Sequence, residues 1–432
     1  MTLNIFLALI LLFTVITLII IRPKGLNVAW PAGIGALIAL LSGLIPLSIL
    51  TIIFDNTWNA CITLISLFIL CDTLDSNKFF DWAAYKIALK ANGSGRKLYI
   101  YILILTSFVT ALLANDGVIL ILTPIIATIL NTIYPGKLRI HLPFIFAVGF
   151  FADSMSIALL PGNLTNLIIA DANHLTFSSF LLYMIIPTIT AFIAGVLCFG
   201  LRFRKELNTH YTPLVHIDPQ TIIRDRFTFN TGWIALTAMV IGYIIGGQFH
   251  LPVAVIIFPV AIAMLVIIHV RKLNSAKRII IHAPWSILIF AIGMFIVITS
   301  AFNAGALNII TEPLKSLTSS QQPSDIFFSG IIYSLLSAVF NNLPASLIGV
   351  LSMKGVEHIS NFAIYTIIAA VNIGPKLTPF GSLSTLIWLG ILKRHNINIS
   401  WWLYIKENWW VTVIVFIAAF GGLLISRIIF GN

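Results

Sequence analysis

Apolar runs of about 20 residues, the length a helix needs to cross a bilayer core, recur along the chain between short polar segments. The pattern predicts crossings over 2–21, 27–45, 52–74, 142–171 and 178–200, then over 230–247, 251–269, 284–303, 361–392 and 409–429. Two further pairs of apolar stretches, 98–113 with 117–134 and 326–340 with 343–353, break at short polar tips. Each pair reads as a re-entrant hairpin that enters and leaves on one side. The first run has no basic segment ahead of it and no small-residue cleavage site, and Arg22 and Lys24 follow directly. It reads as a membrane span rather than a signal peptide. The fold class expected is an all-α polytopic membrane protein with about 10 spans plus 2 hairpins.

Composition agrees. Of 432 residues, 59% are hydrophobic and 9% charged, with a mean hydropathy of +1.03, whereas soluble domains carry roughly 45–50% apolar and 25% charged residues. A formal net charge of +11 suggests nucleic acid at first sight. Placed on the predicted loops, however, 21 of the 25 basic residues fall on one side, between Arg22 and Lys406. Lys315, Lys354 and Arg427 fall on the other side, and Lys376 lies within a span. That bias makes the basic side cytoplasmic and both termini external, and it removes the need for a nucleic-acid partner. Cys61, Cys71, Cys198 and the nine histidines are dispersed. They offer neither a disulfide framework nor metal-ligand spacing, so no metal or cofactor is expected.

The chain also repeats itself. Leu26-Asn27-Val28-Ala29 recurs as Leu251-Pro252-Val253-Ala254, Trp58 as Trp285, and Asn115-Asp116 as Asn341-Asn342. Asp153 matches Asn372, and the stretch from Gly162 to Ile168 matches that from Gly381 to Ile387. Five crossings in each half make the second half begin on the opposite side. The expected organisation is therefore a first inverted repeat over 1–201, a cytoplasmic linker over 202–229 and a second repeat over 230–432, as in many secondary transporters.

Polar residues deep in a bilayer are costly and usually functional. Here they gather at the hairpin tips, Asn115-Asp116-Gly117 and Asn341-Asn342, and in two interrupted spans. One interruption holds Asp153, Pro161, Gly162, Asn163 and Asn166; the other holds Asn372, Gly374, Pro375, Lys376, Thr378, Gly381 and Ser382. Proline and glycine open the helix, and freed backbone is tolerated at that depth only against protein or a wet cavity. The four places are expected to meet as one binding chamber. Asp116, Asp153 and Lys376 are its ionisable members. Lys376 would neutralise an acid or stand where a sodium ion would bind, and Asp116 or Asp153 would carry the proton. The bland counterpart is helix kinks, interhelical hydrogen bonds and a static ion pair.

Several of these stretches resemble the bacterial arsenite efflux permeases, the ArsB family of the ion transporter superfamily. The resemblance rests on Ala114-Asn115-Asp116-Gly117, Ala152-Asp153, Asn163-Leu164-Thr165-Asn166, Asn341-Asn342-Leu343-Pro344 and the run from Gly374 to Leu383. It implies efflux of trivalent arsenite and antimonite from the bacterial plasma membrane in exchange for protons. It also implies optional association with a cytoplasmic ATPase subunit that makes the carrier a pump. Uncharged arsenite suits Asn, Thr and backbone groups, whereas a dicarboxylate would call for arginine. The alternatives are a sodium/proton antiporter or an organic-anion carrier of the same superfamily. An intramembrane enzyme would need paired acids for a metal, or a nucleophile with its base, and neither is evident.

Overall fold

The computed structural model describes residues 2–212, 218–356 and 359–431. The first part of the chain forms α1 (Thr2–Ile21), α2 (Ala29–Leu41), α3 (Ile49–Ser76), α4 (Phe79–Lys90) and the hairpin arms α5 (Gly95–Leu113) and α6 (Asn115–Ile133). It continues through α7 (Leu138–Ser154), α8 (Leu164–Ala172), α9 (Phe177–Arg202) and the short α10 (Arg204–Leu207). The second part forms α11 (Arg226–Gln248), α12 (Val253–Val270), α13 (Ala276–His282), α14 (Trp285–Asn303) and α15 (Asn308–Thr318). The arms α16 (Pro323–Phe340) and α17 (Asn342–Met353), then α18 (Asn361–Ile373), α19 (Leu383–Arg394) and α20 (Trp401–Phe430) complete it. No strand occurs among the described residues, only one isolated bridge between Ser94 and His210. Eleven helices among the described residues are long and apolar enough to cross a membrane. The protein is an all-helical, multi-span integral membrane protein.

Polar caps mark where several long helices begin. Thr176 and Ser179 cap α9 reciprocally, Ser360 caps α18 and Ser400 caps α20, each satisfying amides that the first turn leaves free. Asp225 accepts from the Thr228 amide at the start of α11 and pairs with Arg271 at 2.5 Å. The Arg271 guanidinium and Thr228 hold its carboxyl well below the usual carboxylate range. The linker expected over 202–229 is thus shorter at its far end, since α11 already begins at Arg226, while its residues 213–217 lie outside the described residues. The outer surface of α1, α9, α11 and α12 presents Phe6, Phe13, Ile189, Ile234 and Phe258, as lipid-facing helices must. In contrast, every residue of α7 from Pro143 to Ser154 and of α18 from Phe362 to Ile373 is buried. These two helices form the centre.

Two elements escape the sequence pattern. The helices α4 and α15, 12 and 11 residues long, follow the third span of each half and are too short to cross. Apart from α13, which has no counterpart between α2 and α3, the order of helices over 2–202 recurs over 226–430. Packing follows the same exchange: α2 lies on α14 as α3 lies on α12, α6 on α19 as α17 on α8, and α9 on α20.

The local backbone repeats more closely still. Between the arms of each hairpin stands one non-glycine residue with positive φ: Ala114 (φ 63, ψ 147) and Asn341 (φ 85, ψ 154). That region is nearly reserved for glycine and costs about 1–3 kcal/mol per residue. It also corrects the expected register by one position. Asn115 corresponds to Asn342, and Asp116 to Leu343. At the breaks, one turn of 3-10 helix spans Met155–Ala158 and Gly374–Leu377. Extended residues follow, Leu159 (φ −135, ψ 154) and Thr378 (φ −134, ψ 154). Each break then folds back so tightly that only glycine fits. A Cβ on Gly162 would sit 2.4 Å from the Ser156 carbonyl oxygen, and one on Gly381 would sit 2.4 Å from that of Pro375.

Gly162→Ala and Gly381→Ala are therefore each expected to cost about 2–3 kcal/mol, seen as a lower unfolding temperature in detergent. Gly200→Ala, which meets nothing within 4 Å, serves as the control; equal midpoints for all three would contradict the fold-back geometry.

Candidate functional site

The hairpin arm α6 starts against the start of α19, and the arm α17 starts against α8. Each tip therefore meets the broken helix of the other half, and the polar residues of all four places converge between them.

The centre of the convergence is an ion pair. Lys376 and Asp153 are each about 1% exposed, and the Lys376 ammonium contacts Asp153 Oδ2. Lys376 also donates to the Gly149 carbonyl at 2.9 Å and to Thr385 Oγ1 at 2.8 Å. All three of its donors are thus used, as a buried ammonium requires. The sequence places Lys376 opposite Ile157, not opposite Asp153; the fold brings the pair together across the halves. Asn115 extends the network, donating to Asp153 Oδ1 at 2.7 Å and to Ser384 Oγ at 2.9 Å. Ser384 in turn donates to Asp116 Oδ1. Two carboxylates on the first half are thereby tied to a lysine and a serine on the second.

A second cluster closes around Asn372. Its Oδ1 accepts from Asn163 Nδ2 at 2.7 Å, from Ser156 at 3.1 Å and from Thr165 at 3.2 Å. Its Nδ2 donates to Asn166 Oδ1 at 2.8 Å and to the Ile368 carbonyl at 2.7 Å. Asn166 uses its own amide on the Ser156 carbonyl of the opened turn, 2.8 Å away. These side chains supply the partners that the interrupted helices lack.

Between the clusters lies a small cavity of about 30 Å³, lined by Asn115, Asp116, Asn163, Asn342, Ser382 and Ser384, with Ile287 and Phe290 as an apolar wall. It has room for about two water molecules. Ser382 Oγ is buried there without a hydrogen-bond partner, which makes it a free group for a guest. The other expected residues fall elsewhere. Asn341 caps α17 and donates to the Phe380 carbonyl, Thr378 donates to the Ala338 carbonyl, and Gly381 is the cradle described above. Gly117 turns away from the cavity, and its α-carbon faces the Cys71 thiol, which the sequence had left apart from the chamber. Four contributors, Ser156, Thr165, Ser384 and Thr385, were not singled out from the sequence. Thr165, Ser384 and Thr385 do lie within the repeated stretches, about one turn past each glycine.

Removing one member of a buried pair strands the other. Asp153→Asn or Lys376→Met alone is expected to destabilise the protein by about 3–5 kcal/mol, and the double substitution by much less. Thermal unfolding in detergent measures this; additive losses would mean that the pair is not coupled.

Comparison with known proteins bears on what such a site serves. The family model described as "Arsenical pump membrane protein" matches residues 5–427. The chain is 36% identical over 400 residues to an arsenical pump membrane protein of Escherichia coli, covering 91% of this chain and 92% of that one. It is 35% identical over 402 residues to the protein of the same description from Yersinia enterocolitica, covering 91% and 93%. The chain belongs to the arsenical pump membrane protein family, ArsB.

Proposed function

We propose that this chain is a secondary active transporter that exports trivalent arsenite and antimonite in exchange for protons by alternating access. The observation that carries the reading is the buried network from Lys376 through Asp153, Asn115 and Ser384 to Asp116, strung between the tip of one half and the broken helix of the other. The two halves, 1–201 and 230–432, act as inverted repeats joined by a cytoplasmic linker. Both termini face outward from a bacterial plasma membrane.

Coupling follows from the donors and acceptors. With both acids charged, Lys376, Asn115 and Ser384 all donate inward and hold the α6 tip on α19. A proton on Asp153 removes the charge that retains Lys376. A proton on Asp116 turns it from acceptor to donor toward Ser384. Either event weakens the tie between the halves and lets the site open to one face. Arsenite is an uncharged trihydroxide at neutral pH, a solute of four heavy atoms that a cavity of about 30 Å³ does not hold. Opening is thus required for binding, and Asn115, Asn163, Asn342, Ser382 and Ser384 then offer both donors and acceptors. No arginine lines the cavity, which disfavours a multivalent anion. The lysine ammonium on Asp153 disfavours a sodium ion there. With a cytoplasmic ATPase subunit bound, the same chain serves as the membrane part of an ATP-driven pump.

In inside-out vesicles with an acid interior, the protein is expected to accumulate arsenite, and collapsing the gradient should stop it. Asp116→Asn and Asp153→Asn are each expected to reduce accumulation to the level of vesicles lacking the protein. Accumulation that follows a sodium gradient instead would transfer the reading to the sodium-coupled carriers.

A further inference from the structure

Buried polar atoms without a protein partner usually mark bound water or a functional group in waiting. Four of them among the described residues lie on α19 and the first turns of α20: Trp388 Nε1, the Tyr404 hydroxyl, Glu407 Oε2 and Asn408 Oδ1. Tyr404, Glu407 and Asn408 stand three and four residues apart, on one helix face, and all three are buried. The Tyr404 ring packs on Trp388 and Phe146 with centroids 6.1 and 6.5 Å away. Its hydroxyl neighbours Thr385 without closing a hydrogen bond to it. Thr385 itself touches both members of the pair, accepting from Lys376 at 2.8 Å and reaching Asp153 Oδ2 at 3.5 Å.

At the other end, Glu407 is only 3% exposed. Arg202, at the end of α9 and 42% exposed, binds Glu407 Oε1 at 2.7 Å and leaves Oε2 bare. A carboxylate oxygen buried without a partner is costly, and a single arginine contact does not satisfy it. The charged groups facing this line are Arg202 at its outer end and the Lys376–Asp153 pair at its inner end. Lys406, the neighbour of Glu407, is exposed on another face.

The corresponding face of the first half carries no acid, although the Tyr365 hydroxyl beneath it is likewise buried without a partner. Aligned by their caps, Thr176 and Ser400, the positions of Tyr404, Glu407 and Asn408 are held by Phe180, Tyr183 and Met184. Phe180 and Tyr183 pack on Tyr365 with centroids 5.7 and 4.5 Å away. The line of polar groups therefore leads to one side only, the side of Arg202, and none of its members lines the cavity between the tips.

We infer that Thr385, Tyr404, Asn408 and Glu407 form a proton path from Asp153 to the cytoplasm, distinct from the route of the substrate. The inference rests on the proposed proton coupling. A proton held by the Asp153 carboxyl passes to the Thr385 hydroxyl as that group gives up its own, and the Tyr404 hydroxyl repeats the exchange. A water held by Asn408 would complete the transfer to Glu407 Oε2. From there the proton leaves to cytoplasmic water, and Asp153 regains its charge and its lysine. Arg202 holds Oε1, so the incoming proton meets Oε2.

Tyr404→Phe removes one hydroxyl and keeps the ring that packs on Trp388 and Phe146, so a purely structural role predicts no selective loss of proton release. The test compares the unsubstituted protein with Tyr404→Phe, Glu407→Gln and Glu407→Asp in inside-out vesicles. Two quantities are read: exchange of labelled for unlabelled arsenite at equal concentrations, which needs no net proton movement, and proton release driven by arsenite, followed with a pH-sensitive dye. Tyr404→Phe and Glu407→Gln are expected to keep exchange and to lose proton release to background, and Glu407→Asp to recover it in part. Unaltered proton release in both variants would overturn the path. So would loss of exchange and release together in Glu407→Gln with Tyr404→Phe unaffected, which would make Glu407 a structural anchor. If the unsubstituted protein neither exchanges arsenite nor releases protons, the proposed function fails and takes the path with it.

Discussion

A lysine ammonium buried against a single aspartate at the centre of a membrane protein sets the terms for everything around it. Neither charge is stable there alone, and the pair survives only because every donor on Lys376 and both oxygens of Asp153 find partners. Those partners come from three separate segments. Gly149 lies on the approach to the first break, Thr385 past the second, and Asn115 at the hairpin tip. To bring them within hydrogen-bond reach, two helices must stop in mid-course, which explains the paired 3-10 turns, the extended residues after them and the two glycines that no other residue can replace.

The same requirement accounts for the strain at the tips. Ala114 and Asn341 hold a backbone conformation suited to glycine, yet neither is glycine. The cost is repaid by the contacts that each tip makes. Asn115 bridges Asp153 and Ser384, and the Asn342 amide donates to the Gly381 carbonyl at 2.9 Å. A tip held in place by charge-assisted hydrogen bonds and opposed by backbone strain is suited to having two positions. The bonds that hold it depend on the protonation of two carboxyls. On this reading, strain and titration act on one contact, the meeting of the α6 tip with α19.

Much of this was legible in the sequence, because a bilayer allows so few solutions. Span positions follow from apolar length, and the breaks follow from Pro161, Gly162, Pro375 and Gly381 within otherwise apolar runs. The convergence of Asn115, Asp116, Asn163, Asn342 and Ser382 around one cavity follows from the cost of leaving such groups in hydrocarbon. Three things were not legible. The short helices α4 and α15 carry too little apolar length to stand out from loops. Lys376 was expected to neutralise an acid, but which of Asp116 and Asp153 was open, because the contact with Asp153 joins non-equivalent positions across the two halves and no spacing announces it. Ser384, Thr385 and Thr165 look like the many hydroxyl residues that merely bond back to their own helix, as Thr57, Thr73, Ser154 and Ser300 do here. Tyr404 and Glu407 were overlooked for a related reason. They lie near a span edge, where a polar residue is ordinarily solvated, and only the fold shows them buried.

The central claim is that arsenite and protons move in opposite directions through a site governed by the Lys376–Asp153 pair. The most direct measurement is of both fluxes at once, with purified protein in liposomes that hold a pH-sensitive dye and a known arsenite load, in buffers free of sodium. The account predicts that arsenite leaves only as protons enter, in a fixed ratio, and that Asp153→Asn abolishes both movements. Arsenite efflux without proton entry, or efflux that persists in Asp153→Asn, would contradict it.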